Sequence, residues 1–135
     1  MMRRKNNPRK SHSVGSLGER RAALYLRLRG YSIKARNYRA GHHEIDIVAS
    51  RRNEIVFVEV KARSYREEEL ETAPPPRMAV NADKIRFTRT AAKQYLFEHP
   101  TNKKPRMDVI ELWFESGSLP KKPRLLRIHH IKGAY

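Results

Sequence analysis

The chain has 135 residues, a formal net charge of +16 and no cysteine, which suits one domain with its own core and excludes disulfides and thiolate metal sites. A basic excess of this size favours a polyanionic partner, with nucleic acid as the first candidate and an anionic membrane surface as the second. No segment approaches the roughly 20 apolar residues of a membrane span, and no apolar stretch follows the basic N-terminus, so we expect a cytoplasmic protein without a secretory signal.

The N-terminal part of the chain predicts a basic arm followed by a helix. Residues 1–13 hold five Lys and Arg and are expected to form a disordered arm in front of one domain, residues 14–135. Ser16 and Glu19 have the spacing of a capping box, and Gly30 suits a C-terminal stop. Small and apolar residues share one stripe of this helix, which allows close packing against a sheet.

Alternating patterns then predict three strands in succession: "YSIKARNYR", "EIDIVA" and "EIVFVEVKAR", separated by the turns "AGHH" and "SRRN". The acidic, proline-rich stretch 64–79 is expected to be a mobile loop. A second helix from about Asn81 and the strands "RMDVIELWF" and "PRLLRIHHI" complete the order αβββαβ(β). This order indicates an α/β domain with a mixed central sheet flanked by helices.

The third strand carries Glu59 and Lys61 inside an otherwise apolar run, and strand pairing explains their position. A hairpin around "SRRN" that pairs Ile47 with Val56 gathers the charged side chains on one face. The opposite face is then wholly apolar and consists of Ile45, Ile47, Ala49, Val56, Val58, Val60 and Ala62. In this register Asp46 lies diagonal to Glu59, with Cβ atoms roughly 7–8 Å apart.

Two carboxylates at that spacing can share one metal ion, which phosphodiester hydrolysis can use. Mg²⁺ or Mn²⁺ binds hard oxygen ligands, activates water and absorbs negative charge at the phosphate. Asp46 and Glu59 would be the metal ligands, with the Val60 carbonyl as a further oxygen. Lys61 would orient the attacking water or stabilise developing charge. Glu19 would reach the metal or its water from the first helix.

Each of these residues has an ordinary structural alternative. Glu19 is equally well explained as the capping partner of Ser16. Glu59 and Lys61 can form an exposed ion pair on a half-solvated sheet. Asp108, inside the fourth strand, either serves the site or pairs with a cation.

Further charged residues are expected around the site, and solvation of a turn or helix face accounts for several of them equally well. The expected auxiliary residues are Glu44, His43 and Arg63. The expected nucleic-acid contacts lie on the second helix and are Lys84, Arg86, Arg89 and Lys93.

Asp46, followed by Glu59 and Lys61 on the next strand and preceded by a helix with Glu19, resembles the PD-(D/E)xK nuclease core of type II restriction enzymes and archaeal Holliday-junction resolvases. Over nearly all of residues 15–135, the chain resembles the YraN family of predicted bacterial endonucleases more closely. The matching segments are "GERRAALYLRLRGYSIKARNYR", "EIDIVA", "IVFVEVKAR", "DKIRFTRTAAKQYL", "RMDVIEL" and "IHHIKGAY".

This resemblance implies a restriction-endonuclease-like core, metal ligation by Asp46 and Glu59, a catalytic Lys61 and an auxiliary acid at Glu19. The chain departs from the usual pattern at His43, where the family has glycine, and at a proline position of the superfamily motif. Neither departure removes a charge that the chemistry needs.

We therefore expect a nucleic-acid-binding protein that acts as a metal-dependent endonuclease on DNA, in preference to RNA, with a structure-specific substrate as one option. One alternative is a binding module of the same fold with negligible activity. Another is a basic accessory protein of a nucleoprotein complex. The substrate structure and the formation of a homodimer are left open.

Overall fold

The computed structural model of the chain describes residues 14–65, 82–115 and 124–135. The expected arm of residues 1–13 lies outside these ranges. The expected loop of residues 64–79 also lies outside them, apart from Ser64 and Tyr65, which end the third strand. The elements are α1 (Val14–Leu28), β1 (Ser32–Ala40), β2 (His43–Arg51), β3 (Glu54–Tyr65), α2 (Ala82–Glu98), β4 (Lys104–Glu115) and β5 (Leu125–Ile131).

These elements build one mixed sheet of five strands in the order β1-β2-β3-β4-β5. The pairs β1–β2, β2–β3 and β4–β5 are antiparallel, whereas β3 and β4 are parallel. A parallel pair needs a crossover connection, and α2 lies in the connection from β3 to β4. The expected fold is confirmed, because the order αβββαββ with a mixed sheet is that of a restriction-endonuclease-like core.

The helices cover opposite faces of this sheet. On the α1 side, Leu17, Ala22, Ala23 and Leu26 pack against Ile47, Val56, Val58 and Ile110. On the α2 side, Ala91, Ala92 and Tyr95 pack against Val48, Ile55 and Phe57. Neither helix in the described part of the chain is long and apolar enough to cross a membrane.

Helix α1 approaches the sheet closely at Gly18. A Cβ atom added to Gly18 would lie 2.7 Å from the Cβ of Ala62 on β3, closer than real Cβ contacts allow. The helix ends before Gly30, which has the expected left-handed backbone, with φ of 90°. The expected capping role of Ser16 is wrong, since α1 begins at Val14 and an N-cap residue lies outside the helix.

The register of the β2–β3 hairpin differs from the expected one by two residues. Ile47 pairs with Val58, not with Val56, because the turn contains only two residues, Arg52 and Asn53. Arg52 adopts the left-handed conformation that tight hairpin turns use, with φ of 54°. A shift of two residues preserves the alternation of faces along a regular ladder, so Glu59 and Lys61 stay on the expected face of β3.

One residue leaves the expected apolar face. Ile45 packs in the cluster on the α2 side, although the alternation of β2 placed it with Ile47. The alternation fails here because the β2–β3 ladder ends at the pair Ile47–Val58, and β1 is irregular next to this point. Asn37, which lies on β1 opposite this region, has φ of 53°.

Candidate active site

The point where β2 and β3 separate positions the first carboxylate. Beyond the pair Ile47–Val58, the Val60 backbone N–H donates a hydrogen bond to Oδ2 of Asp46 at 2.8 Å. The carboxylate thus takes the place of a ladder acceptor and holds the two strands at a fixed separation. Asp46 and Glu59 line one small cavity, and the charge of Glu59 acts on Asp46, so the two expected carboxylates do lie near each other.

The environment of Asp46 raises its pKa to about 6. Burial is the main cause, and the Val60 N–H acts against it by favouring the ionised form. The charges of Glu19, Glu59 and Glu44 raise the pKa further. Three other carboxylates therefore lie close enough to affect Asp46, and a cation bound beside Asp46 would offset their charges.

Glu59 is largely buried, with a side chain only 10% exposed. Its Oε2 lies 3.2 Å from Nζ of Lys61 and 3.6 Å from Nζ of Lys84. Its other oxygen, Oε1, is buried without a hydrogen-bond partner among the residues that the structure describes. A buried carboxylate oxygen normally accepts a hydrogen bond or binds a cation, so Oε1 has capacity for a ligand.

The two lysines reach Glu59 from different elements. Lys61 projects from β3 on the expected face, and its side chain is 30% exposed. Lys84 projects from the first turn of α2 and contacts Glu59. This expected nucleic-acid contact therefore also belongs to the site formed by Asp46 and Glu59, called here the carboxylate centre. Its place there follows from the packing of α2 on β2, which sequence spacing does not reveal.

Glu19 approaches the same centre from α1. Its Oε1 accepts a hydrogen bond of 3.2 Å from Nδ2 of Asn37 on β1. Sequence reasoning missed Asn37, although asparagine is one of the few residues that tolerate a positive φ. The contact ties α1 to the irregular part of β1 and keeps the carboxylate of Glu19 close enough to affect Asp46.

Arg63 continues the charged face of β3 but contacts a different acid. Its Nη2 donates to Oε2 of Glu111 at 3.1 Å. Glu111 is 1% exposed and pairs with Lys61 in the parallel β3–β4 ladder. Its Oε1 is buried and has no hydrogen-bond partner in the described ranges. Sequence reasoning did not single out Glu111, because only the parallel pairing of β3 with β4 brings it beside Lys61.

A cleft of about 280 Å³ opens next to Asp46. One wall comes from the β1–β2 turn and the start of β2, and the other comes from α2. The lining residues are His42, His43, Glu44 and Asp46 on the first wall, and Lys84, Phe87 and Thr88 on the second. The ring of His43 stacks on that of Phe87, with centroids 4.5 Å apart and an interplanar angle of 14°.

The remaining expected nucleic-acid contacts form an exposed stripe on α2, made of Arg86, Arg89 and Lys93. Arg86 also pairs with Asp83 one turn earlier, at 2.7 Å. Side chains spaced by three and four residues lie on one face of a helix. Lys84 lies on the opposite side of α2, the side of the buried Thr88 and Tyr95, so this stripe faces solvent and is separate from the site at Asp46 and Glu59.

Asp108 lies on the other side of the sheet and does not join this centre. It is fully buried, accepts hydrogen bonds from Arg106 at 2.8 Å and from the Gly133 N–H at 3.0 Å, and lies 2.7 Å from Nε2 of His130. Burial pushes its pKa upward, but the bonds from His130 and Arg106 outweigh burial and lower it below its ordinary value. Of the two expected roles for Asp108, pairing with a cation is therefore the one observed.

The C-terminal residue Tyr135 also approaches the carboxylates, which sequence reasoning did not anticipate. Its ring packs on the α2-side cluster, and its hydroxyl is buried beside Thr88 without a well-formed hydrogen bond to any described residue. Burial raises the pKa of the phenol, and the charges of Glu59 and Asp46 raise it further.

The oxygen donors of this centre suit a hard divalent cation. Over residues 14–65, 82–115 and 124–135, no group of three or more His, Asp or Glu side chains is placed to hold a metal ion together. Asp46 and Glu59 instead form a pair of carboxylates, and Mg²⁺ typically binds through one or two carboxylates while keeping several waters. Oε1 of Glu59, which accepts no hydrogen bond from any described residue, could serve as a ligand of such an ion.

The chain is similar to a family of bacterial proteins over most of its length. Residues 18–112 match the family model described as "Uncharacterised protein family UPF0102", which is the expected YraN family. A UPF0102 protein of Bacteroides thetaiotaomicron is 39% identical over 92% of this chain and 93% of its own length. Relatives in Caldanaerobacter subterraneus and Chlorobium phaeobacteroides are 36% and 41% identical, over 91% and 78% of this chain and 94% and 80% of their own lengths.

Proposed function

The chain belongs to the uncharacterised family UPF0102, and from the geometry of its carboxylates we propose that it is a metal-dependent nuclease that hydrolyses phosphodiester bonds of DNA. The observation that carries the proposal is that Asp46 and Glu59 line one small cavity, and that Oε1 of Glu59 is buried and unpartnered within the described part of the chain. Carboxylates that serve only as structural ion-pair partners normally have both oxygens satisfied.

Asp46, Glu59 and the Val60 carbonyl are the groups that would hold the metal. Bound Mg²⁺ or Mn²⁺ would supply an acidified water and neutralise charge on the phosphate. Asp46 is positioned for this role by the Val60 N–H, which orients its carboxylate and leaves the group at the mouth of the cleft. Burial is the main cause of its raised pKa, and the neighbouring carboxylates add to it, so a bound cation would favour the ionised form.

Lys61 acts on the reacting phosphate in this proposal. Its ammonium lies 3.2 Å from Glu59, so it is held at the centre while part of the side chain stays accessible. An ammonium has three donors, which can hold a water and an equatorial phosphate oxygen at the same time. Glu19, fixed by Asn37, would accept a proton or a hydrogen bond from a water on the α1 side of the centre.

The basic surface supplies binding without sequence information. A net charge of +16 favours contact with phosphates, and the exposed stripe of Arg86, Arg89 and Lys93 adds cations on the solvent side of α2. Duplex or single-stranded DNA would therefore bind with an affinity that falls steeply as salt rises.

A second candidate function is a nucleic-acid-binding module without activity. One observation favours it: Lys61 and Lys84 both lie on Oε2 of Glu59, which gives this carboxylate two cations without a metal ion. In that case, the same surface would bind DNA and the carboxylates would be a structural ion cluster.

Labelled substrates separate the two candidates. Duplex, junction, flap and single-stranded DNA, with the matching RNAs, are incubated with wild type and Asp46→Asn in Mg²⁺, Mn²⁺ or EDTA. We expect metal-dependent cleavage by wild type, and binding without cleavage by Asp46→Asn. Glu98→Gln is the matched control, because Glu98 is an exposed acid at the far end of α2 that contacts Tyr38 and Gln94.

The pattern of results decides between the candidates. Binding by wild type without cleavage of any substrate in either metal would favour the inactive module. Equal cleavage by wild type and Asp46→Asn would show that the activity comes from elsewhere, such as a contaminating nuclease. Loss of activity in Glu98→Gln as well would mean that the assay reports folding, not the carboxylate centre.

A further inference from the structure

We propose that the cleft beside Asp46 binds one unpaired nucleobase, which stacks on the aromatic pair of Phe87 and His43. The proposal rests on the proposed function, and it narrows the substrate to nucleic acid with at least one unpaired nucleotide next to the cleaved phosphate. Such a substrate is a single strand, or a branched or gapped structure that exposes a base.

The aromatic pair forms part of the cleft wall. Phe87 is 39% exposed and lines the cleft, so part of its ring is accessible to a ligand there. Its ring is held by His43, which stacks on it at 4.5 Å, so the two rings form a rigid platform made by two different elements. The guanidinium of Arg86 lies 5.4 Å from the ring centroid, which adds a cation at the edge of the platform.

The surroundings of the platform match the chemistry of a nucleotide. The cleft is about 280 Å³ and joins the apolar ring of Phe87 to charged groups at Lys84 and Asp46. Base–aromatic stacking combined with nearby cations is the usual means by which proteins hold unpaired strands. A base inside a duplex is already stacked and paired, so its faces are not available to Phe87.

The position of the cleft links the base to the reaction. Asp46 and Lys84 line the cleft and also belong to the carboxylate centre. A base on the platform would therefore place its own phosphate near Glu59 and Lys61. The platform would act as a specificity-determining site, which selects unpaired substrates and sets which phosphate reaches the carboxylates.

A free nucleotide has the same base and phosphate, and the test distinguishes it from a strand. Binding is measured in EDTA with Asp46→Asn as the parent protein, so cleavage plays no part in the readout. An oligonucleotide with one 2-aminopurine reports stacking by loss of fluorescence, and deoxyadenosine monophosphate serves as the free-nucleotide competitor.

The variants are compared on single-stranded and duplex oligonucleotides of equal length. Phe87→Ala should abolish the quenching and weaken single-strand binding by about tenfold, while duplex binding stays unchanged. Phe87→Trp should retain both. Phe97→Ala is the matched control, since Phe97 is on the same helix, is 82% exposed and does not line the cleft. Phe87→Leu, which keeps apolar volume without an aromatic face, should behave like Phe87→Ala even if the alanine variant folds poorly.

Three results would overturn the proposal: quenching that survives in Phe87→Leu, an equal loss of single-strand and duplex binding, or the same loss in Phe97→Ala. If low concentrations of deoxyadenosine monophosphate displace the oligonucleotide, the cleft is a pocket for free nucleotides and not a site for a strand. These readouts are independent of hydrolysis. If wild type cleaves no substrate, the proposed nuclease activity is contradicted and the base site is not. If Phe87→Ala and Phe87→Leu bind single strands as tightly as their parent, the base site is contradicted and the nuclease activity is not.

Discussion

Asp46 and Asp108 are two carboxylates withdrawn from solvent on opposite sides of one sheet, and their pKa values are shifted in opposite directions. Asp46 is surrounded by other acids and receives a single backbone N–H from Val60. Asp108 contacts Arg106 and His130 and accepts the Gly133 N–H. The same substitution at the two positions should therefore have opposite effects on folding.

Asp46→Asn should leave the metal-free protein as stable as wild type or more stable. Burial and neighbouring acids raise the pKa of Asp46 from 3.8 to about 6, so ionising it costs the folded state up to about 3 kcal/mol. Below the unfolded pKa, the buried carboxyl is protonated and does not lower the free energy of unfolding of wild type relative to the variant. As pH rises through about 6, the carboxyl ionises in the folded state and wild type loses stability relative to the variant. Urea denaturation in EDTA at about pH 5 and about pH 8 should show the gain of the variant mainly at the higher pH.

A clear loss of metal-free stability in Asp46→Asn at the higher pH would contradict this prediction. It would mean that the carboxylate is held by a favourable charge contact, as a structural ion pair requires.

Asp108→Asn should destabilise the protein by about 2–4 kcal/mol at neutral pH, because it weakens the bonds to a buried guanidinium and a buried imidazole. The pKa of Asp108 is lowered in the folded state, so its contribution is present above the unfolded pKa of about 4 and is lost as pH falls through the folded value. The midpoint of urea denaturation measures the loss. An Asp108→Asn variant as stable as wild type would show that the network on the α1 side contributes little.

Mg²⁺ or Mn²⁺ should raise the melting temperature of wild type. A ligand that binds only the folded state at 100 times its Kd stabilises by about 2.7 kcal/mol. Asp46→Asn and Glu59→Gln each remove one carboxylate of the pair and should lose most of the effect. Asp83→Asn, which changes an exposed acid on α2, should respond as wild type does. Thermal melts of the four proteins with metal and with EDTA measure the effect. An equal rise in melting temperature in all four would indicate nonspecific binding.

Lys61→Met should reduce hydrolysis by at least about 100-fold, since it removes the ammonium next to the reacting phosphate. Folding stability should fall by about 1–3 kcal/mol, because Lys61 contacts the largely buried Glu59, while Lys84 keeps a second cation beside this carboxylate. Single-turnover rates and urea denaturation measure the two effects separately. Lys34→Met, on an exposed position of β1, controls for the loss of one positive charge. Full activity in Lys61→Met would remove this residue from the mechanism.

Gly18→Ala should destabilise the protein by about 1–3 kcal/mol, because the added Cβ would lie 2.7 Å from the Cβ of Ala62 and force α1 away from β3. The shift would also carry Glu19 away from the carboxylate centre, so activity should fall. Gly15→Ala lies in the same helix at an exposed position and should be neutral or stabilising by up to about 1 kcal/mol. If both variants have the same melting temperature, the close approach at Gly18 is not a constraint.

Local patterns were sufficient to predict the elements and the side of the sheet on which each charge lies. The alternation of the third strand placed Glu59 and Lys61 on one face, and their contact at 3.2 Å agrees with it. Gly30 marked the end of α1 for a similarly local reason, since few other residues adopt its backbone conformation. These features depend on residues that are near one another in the chain.

The arrangement of the centre was decided by contacts between distant parts of the chain. Two registers of the β2–β3 hairpin keep the same apolar face, so the pattern alone did not distinguish the pairing Ile47–Val58 from the expected one. Lys84 reaches Glu59 only because α2 packs on the sheet after a crossover. Glu111 lies beside Lys61 only because β4 runs parallel to β3. Periodicity carries no information about such pairings, because it reports the face of an element and not its neighbour.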